Sequence, residues 1–356
     1  MWRRVTDPYI NRIATAVPRH EVHGAFRRLA DRQIGDARTR TAFARLAEKS
    51  QIDSRFSVLE PDAEARGTTD GFYDRDRYPS TGARMARFEA DAPALAEAAC
   101  DALGLEAEGP RITHLILATC TGFASPGIDH WLIQRYGLPG HVERTVVGFM
   151  GCQAAINALK LARQAVRSDP AARVLVVNLE LCSLHLQPSD DLGQLMCFLL
   201  FADGCSAALV TGEPEGLRMD GFRAALMPEA REHITWRIGD SGFDMTLSGL
   251  VPLTLARALP DHAEAILDGA APEDIDLWAV HPGGRSVLDA VENGMDLPQG
   301  ALAESRAVLR ENGNMSSATV MFVLQRMLAD ARPGQRGCAL AFGPGLSAET
   351  MRFTAV

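Results

Sequence analysis

The feature that most constrains this 356-residue chain is an internal duplication. ITHLILATC (112–120) and DIDLWAVHP (274–282) are short apolar runs that end in loops. Each is followed, after a similar gap, by a glycine-containing turn and a long apolar helical stretch, MGCQAAINALKLARQAV (150–166) and NMSSATVMFVLQRMLAD (314–330). Each of these leads through an arginine-containing turn to a buried-looking strand, ARVLVVNLE (172–180) and QRGCALAFG (335–343). The offsets agree: 281 − 119 = 162 for Thr119 and His281, and 314 − 152 = 162 for Cys152 and Asn314, while the third pair differs by 163. Helical and strand-like segments that alternate in this way argue for an α/β fold. Two copies of one strand–helix–strand unit can pack about a pseudo-twofold axis, with the N-termini of the equivalent helices meeting near it. Cys152 and Asn314 would then be neighbours, and His281 would arrive from the end of a strand.

Length allows two sizeable cores or one large fused core. We expect a division at 215/216, with residues 1–215 carrying the cysteine and residues 216–356 carrying the histidine and the asparagine. Hydrophobic residues make up 47% of the chain and charged residues 23%, which suits a soluble globular protein. The net charge of −9 repels phosphate backbones and argues against nucleic acid as a partner. The opening MWRRVTDPYINR has basic residues but no apolar region behind them, so no secretory leader is expected. The best apolar run, Leu195 to Phe201, is broken by Asp203 and Gly204, so no membrane span is expected. Seven cysteines without a CxxC spacing suggest reduced thiols in the cytoplasm rather than a disulfide framework or a zinc site. Residues 24–49 read as helical, with Phe26, Leu29, Phe43 and Leu46 as apolar positions, and residues 60–85 read as a polar surface excursion.

Three residues carry the chemistry. Cys152 falls at a helix start after Gly148 and Gly151, where unpaired N–H groups and the dipole favour a thiolate and lower its pKa. The same position suits a core-filling cysteine. His281 ends the strand-like DLWAV and precedes Pro282–Gly283–Gly284, a place that opens onto a cleft in α/β folds, although a structural histidine also fits there. Asn314 precedes an apolar helix and needs no role beyond N-cap. Taken together, a thiolate can accept an acyl group, and imidazole and amide donors can stabilise an enolate or tetrahedral oxyanion.

Six stretches then match one family: CTGFASPG (120–127), VGFMGCQAAINALKLA (147–162), LFADGCSAALV (200–210), WAVHPGG (278–284), GNMSSATV (313–320) and AFGPGLSAE (341–349). In this order and spacing the chain resembles type III polyketide synthases, the chalcone-synthase-like enzymes, over essentially its whole length. The resemblance implies a thiolase fold, with duplicated halves in a five-layered α-β-α-β-α core, and a homodimer. It implies that Cys152 carries the starter and the growing chain, that His281 keeps it as thiolate, and that His281 and Asn314 bind the malonyl thioester, drive decarboxylation and hold the enolate. Malonyl-CoA and acyl-CoA are the implied substrates, with no metal or redox cofactor.

By the same resemblance Phe201 is one gatekeeper between the coenzyme A tunnel and the cavity. Met245 stands where the family has a second phenylalanine. Arg45 and Lys49 match two phosphate-binding positions, and Ala42 stands at the third. Cys120, Cys182, His185, Trp236 and Ser316 fall at cavity positions, and Gly343, Pro344 and Gly345 match the cyclisation-pocket scaffold. Trp236 replaces a small family residue, so a long alkyl starter would need its own apolar tunnel, with Cys120 and Cys182 leaving the path open. Segments such as ELCSLHLQPSDD resemble bacterial enzymes that make alkylpyrones or alkylresorcinols from fatty acyl starters. Cys120 also suits a malonyl-only enzyme of the tetrahydroxynaphthalene synthase kind. A ketoacyl synthase III and a cysteine hydrolase share the Cys, His, Asn order, and a non-catalytic binding protein could use the same scaffold.

Overall fold

Both copies of the repeated unit form in the computed structural model, which describes residues 6–64, 66–74 and 78–356. The first five residues of the N-terminal reading, and residues 65 and 75–77 of the expected surface excursion, lie outside the described residues. In chain order the strands are β1 (Tyr9–Ala16), β2 (His20–Glu21), β3 (Phe56–Ser57), β4 (His114–Thr119), β5 (Glu143–Gly148), β6 (Val174–Leu181) and β7 (Asp203–Thr211). They continue as β8 (Leu217–Leu226), β9 (Ile234–Gly239), β10 (Gly242–Leu247), β11 (Leu277–Val280), β12 (Arg336–Gly343) and β13 (Ser347–Ala355).

The two copies pair their strands alike. β4 runs parallel to β6, and β6 antiparallel to β7. β11 runs parallel to β12, and β12 antiparallel to β13. β1 then completes the first half-sheet beside β7, and β8 completes the second beside β13. Among the described residues the half-sheets join only where β1 and β8 pair Tyr9 with Arg218 and Ile10 with Leu217, giving the order β11-β12-β13-β8-β1-β7-β6-β4-β5. The sequence explains the interior position of β6. VLVVNLEL is buried at all eight residues, as a strand covered on both faces must be.

Between the half-sheets lie the helices Ala154–Ser168 and Thr319–Asp330. One apolar cluster unites them with strands of both halves, and Ala154, Ala155, Ala158 and Ala162 keep the first helix slim enough to lie between two sheets. Thr81–Leu103 and Ile128–Tyr136 cover the outer face of the first half-sheet. Val251–Leu267 and Arg285–Gly294 cover the outer face of the second. The result is the five-layered α-β-α-β-α core of a thiolase fold.

Two local expectations change. The 24–49 segment is two helices, His23–Gln33 and Ala37–Lys49, because Asp36 starts a new one by accepting the Thr39 N–H at 2.8 Å. The 60–85 excursion is shorter than expected: Tyr73 is buried, and the Thr81–Leu103 helix has begun, capped by Ser80. The Leu195 to Phe201 run lies mostly in the nine-residue helix Leu192–Leu200. No helix among the described residues is long and apolar enough to cross a membrane.

Candidate active site

Cys152 sits in a 3₁₀ turn, Gly151–Gln153, that feeds the Ala154–Ser168 helix. Gly151 is required there. Its φ is +63°, and a Cβ would lie 2.4 Å from Pro344 Cδ. That close approach brings the Gly343–Pro344 segment against the cysteine turn. The Gly151 N–H also donates to Cys120 Sγ at 3.2 Å.

Asn314 is fixed from several directions. Its N–H donates to Leu200 O at 2.8 Å, and its carbonyl accepts from the Ala202 N–H at 2.9 Å, which ties it to Phe201. Its Oδ1 accepts from the Ser316 N–H at 2.9 Å and from Thr319 Oγ1 at 3.4 Å. Asn314 is therefore a cap as well as a cavity residue. Because the oxygen is committed to the cap, the orientation of the amide is set. Nδ2 has one long bond, to Gly283 O at 3.3 Å.

His281 follows β11 directly, and its N–H donates to Leu340 O at 2.7 Å. The residue is 2% exposed, and neither ring nitrogen has a hydrogen-bond partner among the described residues. Burial pushes its pKa down to about 3, so the ring is a neutral imidazole.

Cys152, His281 and Asn314 line one cavity with strongly apolar walls. Cys152 Sγ is 4.0 Å from Asn314 Oδ1 and 3.9 Å from Ser316 Oγ. Cys152 as a residue is only half-buried, and desolvation by the surrounding protein pushes its thiol up to about 12. The bonds to Ser316 and Asn314 oppose that shift, and the Glu180 carboxylate reinforces it. The expectation of a helix-stabilised thiolate is therefore reversed in this geometry. The cysteine lies in a turn before the helix, and desolvation outweighs the dipole.

Cys120, Cys182, Phe201, Trp236, Met245, Ser316, Gly343 and Pro344 line the same cavity. His185 does not. It lies behind the wall, stacked on Phe243 at 4.2 Å. Its Nδ1 accepts the Phe243 N–H at 3.0 Å, so Nε2 carries the proton and donates to Thr121 O at 2.7 Å. Gly345 is also outside the lining, and its N–H donates to Ile234 O at 2.9 Å. Arg45 and Lys49 lie exposed on the Ala37–Lys49 helix, away from the cavity lining. Trp236 does occupy cavity space, and its indole N–H is anchored on Cys120 O at 2.8 Å.

Sequence reasoning missed Glu180. It is fully buried near the end of β6 and accepts from the Cys120 N–H at 2.9 Å, from Thr121 Oγ1 at 2.8 Å and from Ser317 Oγ. It thus pins the cavity floor of one half to the Asn314 turn of the other. Burial raises its pKa to about 7 against the pull of those donors. The available signal was a carboxylate inside the otherwise apolar LVVNLEL. Ile234, Leu247, Val251 and Phe342 also line the cavity, and nothing in their local sequence marks them.

Residues 11–214 match the N-terminal domain family of chalcone and stilbene synthases, and residues 221–356 match the C-terminal domain family. The alpha-pyrone synthesis polyketide synthase-like Pks18 of Mycobacterium tuberculosis is 34% identical, over 98% of this chain and 91% of its own length. The 1,3,6,8-tetrahydroxynaphthalene synthase of Streptomyces peucetius is 36% identical, over 70% of this chain and 69% of its own. Among solved structures, PKS-I from the brown alga Ectocarpus siliculosus superposes with a TM-score of 0.88 at 29% identity, covering all of both chains. Tetrahydroxynaphthalene synthase from Streptomyces coelicolor, a bacterial type III polyketide synthase, superposes with a TM-score of 0.86 at 28% identity, covering 98% of this chain and 99% of that one. With this fold and these matches across both halves, the chain belongs to the chalcone and stilbene synthase family and is a type III polyketide synthase.

Proposed function

We propose that this enzyme extends a fatty acyl-CoA starter by iterative decarboxylative condensation of malonyl-CoA and closes the product to a pyrone or phenolic ring. The observation that carries the reading is the meeting of Cys152, His281 and Asn314 on one apolar cavity. In this mechanism the neutral His281 imidazole takes the Cys152 proton as the sulfur attacks the starter thioester, and coenzyme A leaves. The carbonyl of malonyl-CoA then sits against a His281 N–H and Asn314 Nδ2. Carbon dioxide departs, and the two donors hold the enolate. The enolate attacks the acyl-cysteine, the Cys152 thiolate is released, and the extended chain returns on coenzyme A for reloading. The dry walls strengthen both hydrogen bonds.

The other assignments rest on placement. Phe201 and Met245 act as gates, and Cys120, Cys182, Trp236, Ser316, Gly343 and Pro344 shape the cavity. His185 and Gly345 support its wall. Arg45 and Lys49 receive the coenzyme A phosphates. Their helix is linked to the catalytic loop by Arg285 Nη1, which donates to Lys49 O at 3.4 Å. The division at 215/216 places the nucleophile in one half and the two donors in the other. Exposed Phe123, Val146 and Met150, beside the open edge of β5, support a homodimer. Seven free cysteines fit a reducing cytoplasm. The starter class is supported by the apolar walls, and closure to a pyrone by similarity to a protein named for alpha-pyrone synthesis. Similarity to tetrahydroxynaphthalene synthases, with Cys120 in the cavity, supports a malonyl-only reading as second choice. The family assignment displaces the ketoacyl synthase III and cysteine hydrolase readings.

The test is mass spectrometry of products from malonyl-CoA with a panel of acyl-CoA starters. Alkylpyrones or alkylresorcinols made in preference from long starters are expected. A preference for acetyl- or malonyl-CoA over dodecanoyl-CoA in direct competition would refute the fatty acyl starter. Failure to release carbon dioxide from malonyl-CoA would refute the condensation itself.

A further inference from the structure

Three exposed leucines stand beside segments that wall the catalytic cavity. Leu250, 55% exposed, precedes the Val251–Leu267 helix, and Leu253, 49% exposed, lies in its first turn. Between them Val251 is buried and lines the cavity, as does Leu247 just before. The third, Leu46, is on the Ala37–Lys49 helix. That helix reaches the same rim by two routes. Its Phe43 and Ala47 pack with Leu195 and Leu199 of the Leu192–Leu200 helix, whose Cys197 Sγ contacts Leu247 O at 4.0 Å. Its Lys49 O accepts from Arg285 Nη1, two residues before Val287, which lines the cavity. None of these leucines is among the residues that support the homodimer.

The same elements carry cations. Residues 23–49 hold seven arginines and lysines against three carboxylates, in a chain whose net charge is −9. Arg38, Arg45 and Lys49 are exposed at helical spacing, so they share one face of their helix with Leu46. Arg257 is exposed four residues after Leu253, on the same face of the second helix. Arg40 is paired with Asp31 at 3.5 Å, whereas Arg38, Arg45, Lys49 and Arg257 make no ion pair among the described residues.

We propose that this face seats the enzyme on an anionic lipid bilayer, with Leu46, Leu250 and Leu253 in the headgroup boundary and Arg38 and Arg257 on lipid phosphates. Arg45 and Lys49 add to the attraction and keep their assignment to coenzyme A. Exposed apolar side chains flanked by uncompensated cations are what an interfacial face needs: burial supplies the hold and the cations the preference for anionic lipid. The acidic remainder of the chain is repelled by such a surface, so the molecule binds with this face down and the cavity rim at the lipid. A second copy of the chain suits the face poorly, because a twofold contact would set these cations against their own equivalents. The proposal goes beyond the reading of the reaction and does not depend on the starter.

The test is co-sedimentation with vesicles, in the absence of any acyl-CoA, so its failure leaves the starter reading untouched. Wild-type protein is expected to pellet with vesicles of equal parts phosphatidylglycerol and phosphatidylcholine, and at least tenfold more weakly with phosphatidylcholine alone. Leu250→Ser combined with Leu253→Ser should weaken binding to the mixed vesicles at least tenfold. Arg38→Gln combined with Arg257→Gln should remove most of the preference for phosphatidylglycerol. Both variants should release carbon dioxide from malonyl-CoA as the wild type does, which reports that they are folded. Hydroxyl-radical footprinting of the wild type gives a readout without any substitution: oxidation of Leu250 and Leu253 should fall at least threefold on the mixed vesicles. A wild-type protein that stays in the supernatant, a leucine variant that binds as well as wild type, or unchanged oxidation overturns the proposal. A leucine variant that elutes from gel filtration as a smaller species than wild type also overturns it, and gives the leucines to a second copy of the chain.

Discussion

The turn at Gly151–Gln153 and the turn at Ser316–Ala318 stand at equivalent places in the two halves, yet they treat their polar side chains in opposite ways. Both are 3₁₀ turns that start the middle-layer helices. In the first, the positive φ falls on Gly151, ahead of the cysteine, and Cys152 Sγ is left with only weak contacts at 3.9 and 4.0 Å. In the second, the positive φ falls on Ser316, two residues after the asparagine, and Asn314 Oδ1 is consumed by the cap. One turn presents a loosely held side chain and the other a fixed one. A nucleophile must move between acylated and free states, whereas an oxyanion donor is worth most when it is preorganised. The same scaffold therefore supplies both roles, and the local backbone decides which.

This comparison can be broken at several points. The largest effect is expected from Cys152→Ala, which should abolish condensation. Iodoacetamide should also modify Cys152 before the other six cysteines, because Cys152 is partly exposed as a residue and the other six are buried. Surviving activity in the alanine variant, with preferred labelling elsewhere, would move the nucleophile off this turn.

Asn314→Ala should lower malonyl-CoA decarboxylation by roughly 10²–10³-fold, the usual cost of one oxyanion donor. Normal decarboxylation would reduce Asn314 to a helix cap.

Glu180 joins the two turns, and its contribution depends on pH. Its folded pKa is raised to about 7 from 4.5, so the carboxyl is most stabilising when protonated. That contribution is complete below pH 4.5 and is lost as pH rises through about 7. Relative to Glu180→Gln, the wild-type protein should lose on the order of 3 kcal/mol of stability across that window. Urea titrations of both proteins at several pH values check this. Parallel stability profiles would show that burial does not hold the Glu180 carboxyl above its ordinary pKa.

Gly151→Ala should cost about 1–2 kcal/mol for the left-handed backbone, plus whatever Pro344 must yield to admit the Cβ. A neutral effect in a denaturant titration would mean that the turn relaxes freely and that the contact with Pro344 is incidental.

The sequence showed more of the scaffold than of the cavity. The 162-residue offset paired Cys152 with Asn314, although the central helices begin 319 − 154 = 165 residues apart, so the cysteine stands within its turn and the asparagine two residues before its own. The buried strands and central helices followed from long apolar runs, whose period survives any environment. The His185 assignment did not hold as a cavity contact, because one residue's difference in depth separates a wall from the layer behind it. Cys152 was expected to be acidic from its helix position, but burial of the sulfur depends on how both halves close over it. Glu180 bonds to residues 59, 60 and 137 positions away, so no local pattern could reveal its role.

The central claim is that the two turns divide the work, with loading at Cys152 and decarboxylation at His281 and Asn314. It is tested most directly by assaying Asn314→Ala twice on one preparation. Intact-protein mass after exposure to acyl-CoA reports loading, and carbon dioxide release from malonyl-CoA reports decarboxylation. The account predicts a normal acyl adduct on Cys152 with carbon dioxide release reduced at least a hundredfold. Loss of the adduct together with decarboxylation, or retention of both, would contradict it.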